Sequence, residues 1–213
     1  MRQVNARLFV TLDSVIEAPE NWVKSDDEMF AALEVDYEQS DALLLGRRTY
    51  ETFAASWPER GSDVPNADWM NETRKYVASS TLVSPEWNNS VVIEGDVAEA
   101  VRRLKQEDGK DILVNGSGAL VRTLIRDQLL DELRLLVHPV VVGSGIRLFG
   151  DQGDPAELTL ADSRGYANGV VGLTLSACDR GWRRDMIHTD EFSRSDSRKV
   201  QGTANLDHRK RQL

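Results

Sequence analysis

Leu45-Gly46-Arg47-Arg48-Thr49-Tyr50-Glu51 is the first of two segments in which a short apolar run ends at a glycine and a helical pattern follows. The second is Val114-Asn115-Gly116-Ser117-Gly118-Ala119-Leu120. A strand that enters a helix through a glycine turn directs free backbone N–H groups and the positive end of the helix dipole at one point, which favours phosphate. Two such turns indicate a ligand with phosphate at more than one place, such as a dinucleotide. Arg47 and Arg48 beside the first turn add guanidinium groups that suit a phosphate monoester.

Neither glycine turn matches a common nucleotide-binding motif. A Walker A loop requires Gly-Lys-Ser/Thr, which follows neither turn, and the fingerprint G-x-G-x-x-G fails because residue 121 is Val. Each turn taken alone is equally consistent with a helix cap or a simple turn after a strand. The sequence therefore excludes a standard P-loop or Rossmann site, and the case for phosphate binding depends on the two turns together.

Hydrophobic patterning indicates alternating strands and helices up to residue 128. The predicted strands cover residues 4–12, 42–45, 75–78, 91–93 and 111–114. The predicted helices cover residues 26–39 (with Ser25 as cap), 49–55, 96–108 and 119–128. Three further strand-like runs, at 133–142, 157–162 and 170–177, have no helix between them. This order predicts an α/β fold in three layers, with a mostly parallel central sheet, antiparallel strands at its C-terminal edge and helices on both faces.

Composition bounds the class of protein. A chain of 213 residues that is 40% hydrophobic is long enough for one domain with a substantial core, predicted at 1–180. The net charge of -9 argues against non-specific binding of nucleic acid by the whole protein, since such binding requires a basic surface. Residues 181–213 are a polar, net basic tail, whose last part is predicted to be disordered.

Cysteine and histidine usage point to a protein without disulfides or a metal. Cys178 is the only cysteine, which fits a reducing compartment. His138, His188 and His208 lack the spacing of a zinc site. Neither a signal peptide nor a membrane-spanning run is evident, so we expect a soluble cytoplasmic protein.

Several motifs occur in the order and spacing of one fold family. After the two glycine turns these are Val77-Ala78-Ser79-Ser80-Thr81-Leu82, Leu130-Asp131-Glu132-Leu133-Arg134-Leu135 and His138-Pro139-Val140-Val141-Val142-Gly143-Ser144-Gly145 with Arg147-Leu148-Phe149. Together they resemble the dihydrofolate-reductase-like superfamily. Within it they look most like the reductase of riboflavin biosynthesis, both the C-terminal domain of bifunctional deaminase-reductases and its stand-alone relatives. The resemblance covers about residues 4–178.

The resemblance implies NADPH as the cofactor. The residues that it assigns to the cofactor are Gly46, Arg47, Arg48 and Thr49 at the first turn, Ser79, Ser80 and Thr81 at the adenosine 2′-phosphate, and Gly116, Ser117 and Gly118 under the pyrophosphate. Dihydrofolate reductases have a cis peptide bond between glycines at the last of these places. The resemblance therefore raises the possibility of a cis bond near Gly116–Ser117. For the two serines, a simple turn after a strand is the alternative.

On the substrate side the resemblance points to Asp13 as a catalytic carboxylate that contacts substrate or handles a proton. The family usually has Ser-Leu-Asp-Gly here, and this chain has Thr11-Leu12-Asp13-Ser14-Val15-Ile16-Glu17. Ser14 replaces a glycine, and Glu17 puts a charge where a small residue is common. If Asp13 supplies a proton, a closed pocket should raise its pKa. A turn or capping role is the alternative.

Three more residues are candidate substrate ligands. Trp22 and Trp57 could stack on a flat heterocycle, or belong to the core or to a dimer contact. Asp26 could be an acid at the start of the helix that lines the folate pocket in dihydrofolate reductases, although acidic residues are ordinary in a first helical turn. His138 is interpreted as a hydrogen-bonded strand histidine.

Three functions are compatible with these features. The first is an NADPH-dependent reductase of a pyrimidine or related heterocycle, including the phosphoribosylamino-uracil step of riboflavin synthesis. The second is a reductase with another substrate, dihydrofolate among them. The third is a catalytically silent NADPH-binding protein. The resemblance and the apolar run at 133–142 also suggest a homodimer formed through edge strands.

Overall fold

The computed structural model describes residues 1–150 and 155–177. The predicted basic tail and Cys178 lie outside these residues. The strands are β1 Val4–Thr11, β2 Ser40–Gly46, β3 Arg74–Ala78, β4 Ser90–Ile93, β5 Asp111–Val114, β6 Glu132–His138, β7 Leu158–Gly165 and β8 Val171–Ala177. The helices are α1 Asp27–Gln39, α2 Arg47–Ala54, α3 Ala67–Glu72, α4 Val97–Gln106 and α5 Gly118–Arg126, with a 3-10 helix at Pro19–Asn21.

The eight strands form a single sheet in the order β4-β3-β2-β5-β1-β6-β8-β7. Neighbouring strands from β4 to β6 are parallel. The β8 strand pairs antiparallel with β6, and β7 pairs antiparallel with β8. This confirms the predicted fold class of a mostly parallel sheet with antiparallel strands at its C-terminal edge. No helix in the described part of the chain is long and apolar enough to cross a membrane.

Helices cover the two faces of this sheet, and β2 shows why. Ala42 and Leu44 belong to the larger core, which also contains apolar side chains of α4 and α5. Leu43 and Leu45 pack into a second core with Tyr50 of α2 and Met70 of α3. All four β2 residues are almost fully buried, as the continuous apolar run at 42–45 predicts for a strand covered on both sides.

The structure corrects two details of the predicted elements. Asp26, not Ser25, caps α1, and its Oδ1 accepts a hydrogen bond from the backbone N–H of Met29 at 3.0 Å. The six-residue α3 was not predicted, because so short a helix carries no clear apolar period.

The strand predicted at 133–142 is shorter than expected and does not form an edge. Strand β6 ends at His138, immediately before Pro139, which has no N–H to donate. It lies between β1 and β8, so the expected edge-strand contact of a homodimer cannot involve it. The free edge on this side of the sheet is β7.

Lys75 of β3 is a buried cation that has no carboxylate partner within residues 1–150 and 155–177. Its side chain is 0% exposed, and Nζ donates hydrogen bonds to the backbone oxygens of Asn71, Thr73 and Asn88 at 3.0, 2.8 and 3.0 Å. Nζ also lies 4.3 Å from the centre of the Trp87 ring. Burial lowers the pKa of Lys75 to about 8. The amine thus fastens β3 to the segments that precede and follow it.

The lowered pKa predicts that stability depends on pH through Lys75. Below pH 8 the amine is charged in both the folded and the unfolded chain, whereas between about pH 8 and 10.5 the folded chain releases its proton first. The free energy of unfolding of the wild type should therefore rise with pH in this window relative to that of Lys75→Met. The rise should be at most about 3 kcal/mol, measured by urea denaturation at several pH values. Lys110→Met, at an exposed lysine, is the control, and equal pH slopes for all three proteins would contradict the prediction.

Candidate functional site

The predicted site residues gather at one edge of the sheet. Because β1 to β6 run parallel, their carboxyl ends lie on the same side, and ligands of open α/β sheets bind outside these ends. The residues at or just after these ends are Asp13, Gly46, Ser79, Gly116 and His138. The topology therefore brings together segments that are far apart in the sequence.

The two glycine turns are in direct contact. Strands β2 and β5 are neighbours, with Leu44 opposite Val114. A Cβ placed on Gly46 would lie 2.2 Å from Oγ of Ser117, and a Cβ on Gly116 would lie 3.1 Å from Oγ1 of Thr49. Gly116 also has φ +84°, a conformation that favours glycine. The peptide bond between Gly116 and Ser117 is cis, as the resemblance suggests.

Two helices begin at these turns without a side-chain cap. Gly46 precedes α2 and Ser117 precedes α5, and neither residue provides a side-chain acceptor for the first helical turn. By contrast, Asp26 caps α1 and Asp96 caps α4. The first backbone N–H groups of α2 and α5 thus remain available for an anion, at the end where the helix dipole is positive.

The two arginines at the first turn differ in their contacts. Both side chains are exposed. Nη1 of Arg47 forms an ion pair with Oε1 of Glu51 at 2.9 Å. The guanidinium of Arg48 has no hydrogen-bond or ion-pair partner among the described residues. An exposed ion pair contributes little to stability, so the guanidinium of Arg47 can exchange Glu51 for a ligand. The guanidinium of Arg48 needs no such exchange.

The Ser79-Ser80-Thr81 segment follows β3 directly beside the first turn, because Ala78 pairs with Gly46. The hydroxyl of Ser79 accepts hydrogen bonds from the backbone N–H groups of Thr81 and Leu82 at 3.2 and 2.9 Å. The side chain of Ser79 therefore closes the turn after β3, which is the alternative to a cofactor-binding role. Ser80 and Thr81 are exposed to solvent.

The carboxylate of Asp13 accepts hydrogen bonds from its own chain, unlike a carboxylate that is free to bind substrate. Its oxygens accept from Oγ1 of Thr11 at 2.7 Å and from the backbone N–H groups of Val142 and Gly143 at 3.2 and 2.8 Å. The hydroxyl of Thr11 and the N–H of Gly143 are the main causes that lower the pKa of Asp13 to about 2. The predicted rise of this pKa is wrong, and Asp13 fastens the loop after β6 to the end of β1.

Glu17 and Ser14 complete this connection. Oε2 of Glu17 accepts a hydrogen bond from the N–H of Ile146 at 3.1 Å, so both acidic residues of the altered segment hold the same loop. Ser14 keeps φ +65°, which means that its Cβ is accommodated in a backbone shape suited to glycine. The loop at 139–147 was not predicted to share these contacts, although its glycines at 143 and 145 marked it as a turn-rich segment.

The three candidate substrate ligands have structural contacts of their own. Asp26 caps α1. Trp22 is buried, donates from Nε1 to the backbone oxygen of Glu17 at 2.9 Å and has its ring edge-on to His138. Trp57 is half-buried against the second core, with the guanidinium of Arg60 4.3 Å from its ring centre. Among the residues that the structure describes, these three side chains make none of these contacts with the glycine turns.

His138 is fully buried at the carboxyl end of β6. Its Nδ1 accepts a long hydrogen bond of 3.4 Å from the backbone N–H of Lys24. Nε2 has no hydrogen-bond partner among the described residues, so the interpretation of a fully bonded histidine is only half right. Burial, followed by the charge of Lys24, lowers the pKa of His138 and keeps the ring neutral near pH 7. Within residues 1–150 and 155–177 no cluster of His, Cys, Asp or Glu side chains is suited to a metal ion.

Comparison with known proteins identifies the family. The model of the RibD C-terminal domain matches residues 2–172. The chain is 32% identical over 179 residues to the uncharacterized protein YyaP of Bacillus subtilis strain 168, covering 81% of this chain and 93% of YyaP.

Solved structures share the fold at low sequence identity. A protein of Shewanella sp. PV-4 whose name connects it with riboflavin biosynthesis is 18% identical, with a TM-score of 0.65 over 83% of this chain and 99% of that one. RibD of Acinetobacter baumannii is 14% identical, with a TM-score of 0.61 over 84% of this chain and 58% of that one. These two similarities show that the fold is that of RibD-like reductases.

The contact between the turns predicts a coupled pair of substitutions. Gly46→Ala should destabilise the protein by about 1–3 kcal/mol because the new Cβ meets Oγ of Ser117. Ser117→Ala in the same chain removes that oxygen and should recover part of the loss, a coupling of about 0.5–3 kcal/mol. Urea denaturation of the four proteins of the cycle measures it. Additive effects would show that the turns do not touch.

The lowered pKa of Asp13 predicts a loss of its stabilising effect in acid. The carboxylate stabilises the fold above its ordinary pKa of 3.8, and the effect disappears as the pH falls from about 4 to 2. The difference in Tm between wild type and Asp13→Asn should therefore be largest at pH 5–7 and shrink by pH 3. Asp108→Asn, at an exposed loop residue, serves as control. A difference that stays constant over this range would refute the role of the charge.

Proposed function

Because this chain belongs to the RibD C-terminal domain family, we propose that it is an NADPH-dependent reductase that transfers a hydride to a pyrimidine- or pteridine-type heterocycle or its ribosylamino derivative. The observation that carries the proposal is the contact between the two glycine turns, from which two uncapped helix starts face one edge of the sheet. This arrangement offers backbone donors to a ligand that carries more than one phosphate.

The residues at the turns fit NADPH. Glycine at 46 and 116 lets the two turns approach each other closely, because a Cβ on Gly46 would overlap Oγ of Ser117 and a Cβ on Gly116 would crowd Oγ1 of Thr49. In the proposed complex, the N–H groups from Gly116 to Gly118 and at the start of α2 hold the pyrophosphate. When bound, NADPH supplies the hydride from C4 of its nicotinamide ring.

The adenosine end is assigned to Arg48, Ser80 and Thr81. The free guanidinium of Arg48 offers charge-assisted hydrogen bonds to a 2′-phosphate, and both hydroxyls are exposed beside it along the sheet edge. Arg47 can join after it releases Glu51. Ser79 supports this end indirectly, by closing the turn that presents its two neighbours.

The substrate is the less determined part of the proposal. One solved structure with this fold is named as a diaminohydroxyphosphoribosylaminopyrimidine deaminase/5-amino-6-(5-phosphoribosylamino)uracil reductase, and the second of these reactions is the first candidate here. The altered segment at 11–17 is the reason for a second candidate, a reductase of the same type with another heterocycle such as dihydrofolate. In both, the residues of this chain hold donor and acceptor carbons close together and exclude water.

We propose in addition that the protein is a homodimer that forms through β7. Of the eight residues in this strand, all but Leu158 are exposed, among them Leu160 at 55%. An edge strand of this length is available for pairing with a second copy. Analytical ultracentrifugation of wild type and of Leu160→Lys distinguishes dimer from monomer.

Cofactor titration tests the proposal, and we expect the arginines to set the preference for NADPH over NADH. Arg48→Ala should weaken NADPH about 10- to 100-fold and leave NADH unchanged, since a charge-assisted hydrogen bond is lost. Arg47→Ala should have a smaller effect, because Glu51 already occupies that guanidinium. Calorimetric titration of each protein with both nucleotides gives the ratio of the Kd for NADH to the Kd for NADPH.

Arg103→Ala is a matched control, because Arg103 has the same ion-pair spacing with Glu99 as Arg47 has with Glu51 but lies on α4. It should bind both nucleotides as the wild type does. Binding of neither nucleotide by the wild type would overturn the reductase proposal. Binding of NADPH without oxidation by any pyrimidine or pteridine acceptor would instead identify a catalytically silent protein.

A further inference from the structure

A row of polar side chains crosses the middle of the sheet on the face covered by α1. Arg7 of β1 is the register partner of Arg134 of β6. On the other side of β1, Ala6 pairs with Val114, the last residue of β5, and Asn115, which follows it, lines the same small cavity as Arg7. Asn115 is half-buried and directly precedes Gly116. One end of this row therefore supports the second glycine turn.

Ion pairs add to apolar packing in holding α1 over this row. Of the 13 residues in α1, only Met29 and Asp36 are buried. Asp36, which is 2% exposed, forms ion pairs with both Arg7 and Arg134. Nε of Arg134 also donates a hydrogen bond to Oε2 of Glu132 at 2.9 Å. A buried carboxylate between two guanidinium groups tolerates little displacement, so the last turn of α1 is fixed relative to β1 and β6.

Tyr37 follows Asp36 and reaches the turn. It lines the same small cavity as Asn115, and its ring centre lies 4.7 Å from that of Trp69. Burial, and then the negative charge of Asp36, raise the pKa of Tyr37, which keeps the phenol neutral. Tyr37, Asn115 and Arg7 line a cavity of only about 30 Å³. This volume accommodates about one water molecule, so the polar groups are close neighbours beneath the turn.

The turn is thus supported from two sides. Thr49 and Gly46 contact it from the first glycine turn, and Tyr37 of α1 faces Asn115 across the small cavity beneath it. The contacts with the first turn are steric, whereas Tyr37 offers a hydroxyl that can hydrogen-bond the amide of Asn115, the residue before Gly116, directly or through one water. A directional contact of this kind can set the orientation of the backbone N–H groups that follow it.

We propose that Tyr37 is a positioning residue for the pyrophosphate-binding turn, which it orients through Asn115 while Asp36 keeps Tyr37 in place. The inference rests on the proposed binding of NADPH. A turn that is already oriented loses less conformational entropy when it binds, so the contact should contribute to affinity for the pyrophosphate. It should not contribute to affinity at the adenosine 2′-phosphate, which Arg48, Ser80 and Thr81 would hold.

Tyr37→Phe tests this assignment with two ligands. NADPH contains the pyrophosphate, and adenosine 2′-monophosphate lacks it. The variant should raise the Kd for NADPH about five- to tenfold, the effect of one hydrogen bond, and leave the Kd for adenosine 2′-monophosphate within about twofold. Tyr76→Phe, at a half-buried tyrosine of β3, is the matched control and should change neither value. Calorimetric titration of the full chain measures both constants.

A second cycle tests whether the effect passes through Asn115. Asn115→Ala should weaken NADPH, and Tyr37→Phe should then add no further loss in that background. A further loss of the same size would overturn the assignment, as would an equal loss of both ligands, which indicates general destabilisation. Unchanged NADPH binding by Tyr37→Phe would overturn this inference alone. Failure of the wild type to bind either ligand would overturn the proposed function and this inference with it.

Discussion

The side-by-side placement of β2 and β5 is the constraint on which the rest of the structure depends. Their carboxyl ends meet so closely that a Cβ on Gly46 would overlap Ser117 and a Cβ on Gly116 would crowd Thr49. Two helices start at this junction, on opposite faces of the sheet, and both lack a side-chain cap. The chain thus concentrates unpaired N–H groups at one place, and the surrounding loops are arranged around it.

Buried charge stabilises the periphery of this junction in two different ways. Asp36 lies between two arginines and fixes α1, whose apolar contribution to the core is small. Lys75 has backbone oxygens and an aromatic ring as neighbours instead of an anion. Apolar side chains of similar volume often stabilise a protein as much as a buried ion pair does, but the ion pair specifies the geometry of the contact more narrowly. Asp36 is adjacent to Tyr37 in the chain, and Lys75 lies on the strand that leads to Ser79.

The sequence was sufficient for the fold class and for both glycine turns, whereas the contact between the turns depends on the pairing of β2 with β5. The apolar run at 42–45 predicted a strand buried on both faces, and the loss of helices after residue 128 predicted the antiparallel edge. The role of Asp13 was not predictable, because its partners Val142 and Gly143 lie about 130 residues away and donate through backbone groups that leave no trace in residue type. The polar row of Arg7, Asn115 and Arg134 was equally hidden. It depends on strand register, which the patterning of single strands does not determine.

The side chain of Lys75 also limits the conformational freedom of the chain between β3 and Asn88. Its side chain joins β3 to Asn88 and so closes a loop that contains Ser79, Ser80 and Thr81. Closure of a loop removes many of the conformations open to the intervening chain, as a crosslink does, although here no covalent bond is formed. The segment proposed for the adenosine end is therefore restricted before any nucleotide arrives. A buried amine remote from the ligand can in this way act as a non-covalent staple that reduces the entropy lost on recognition.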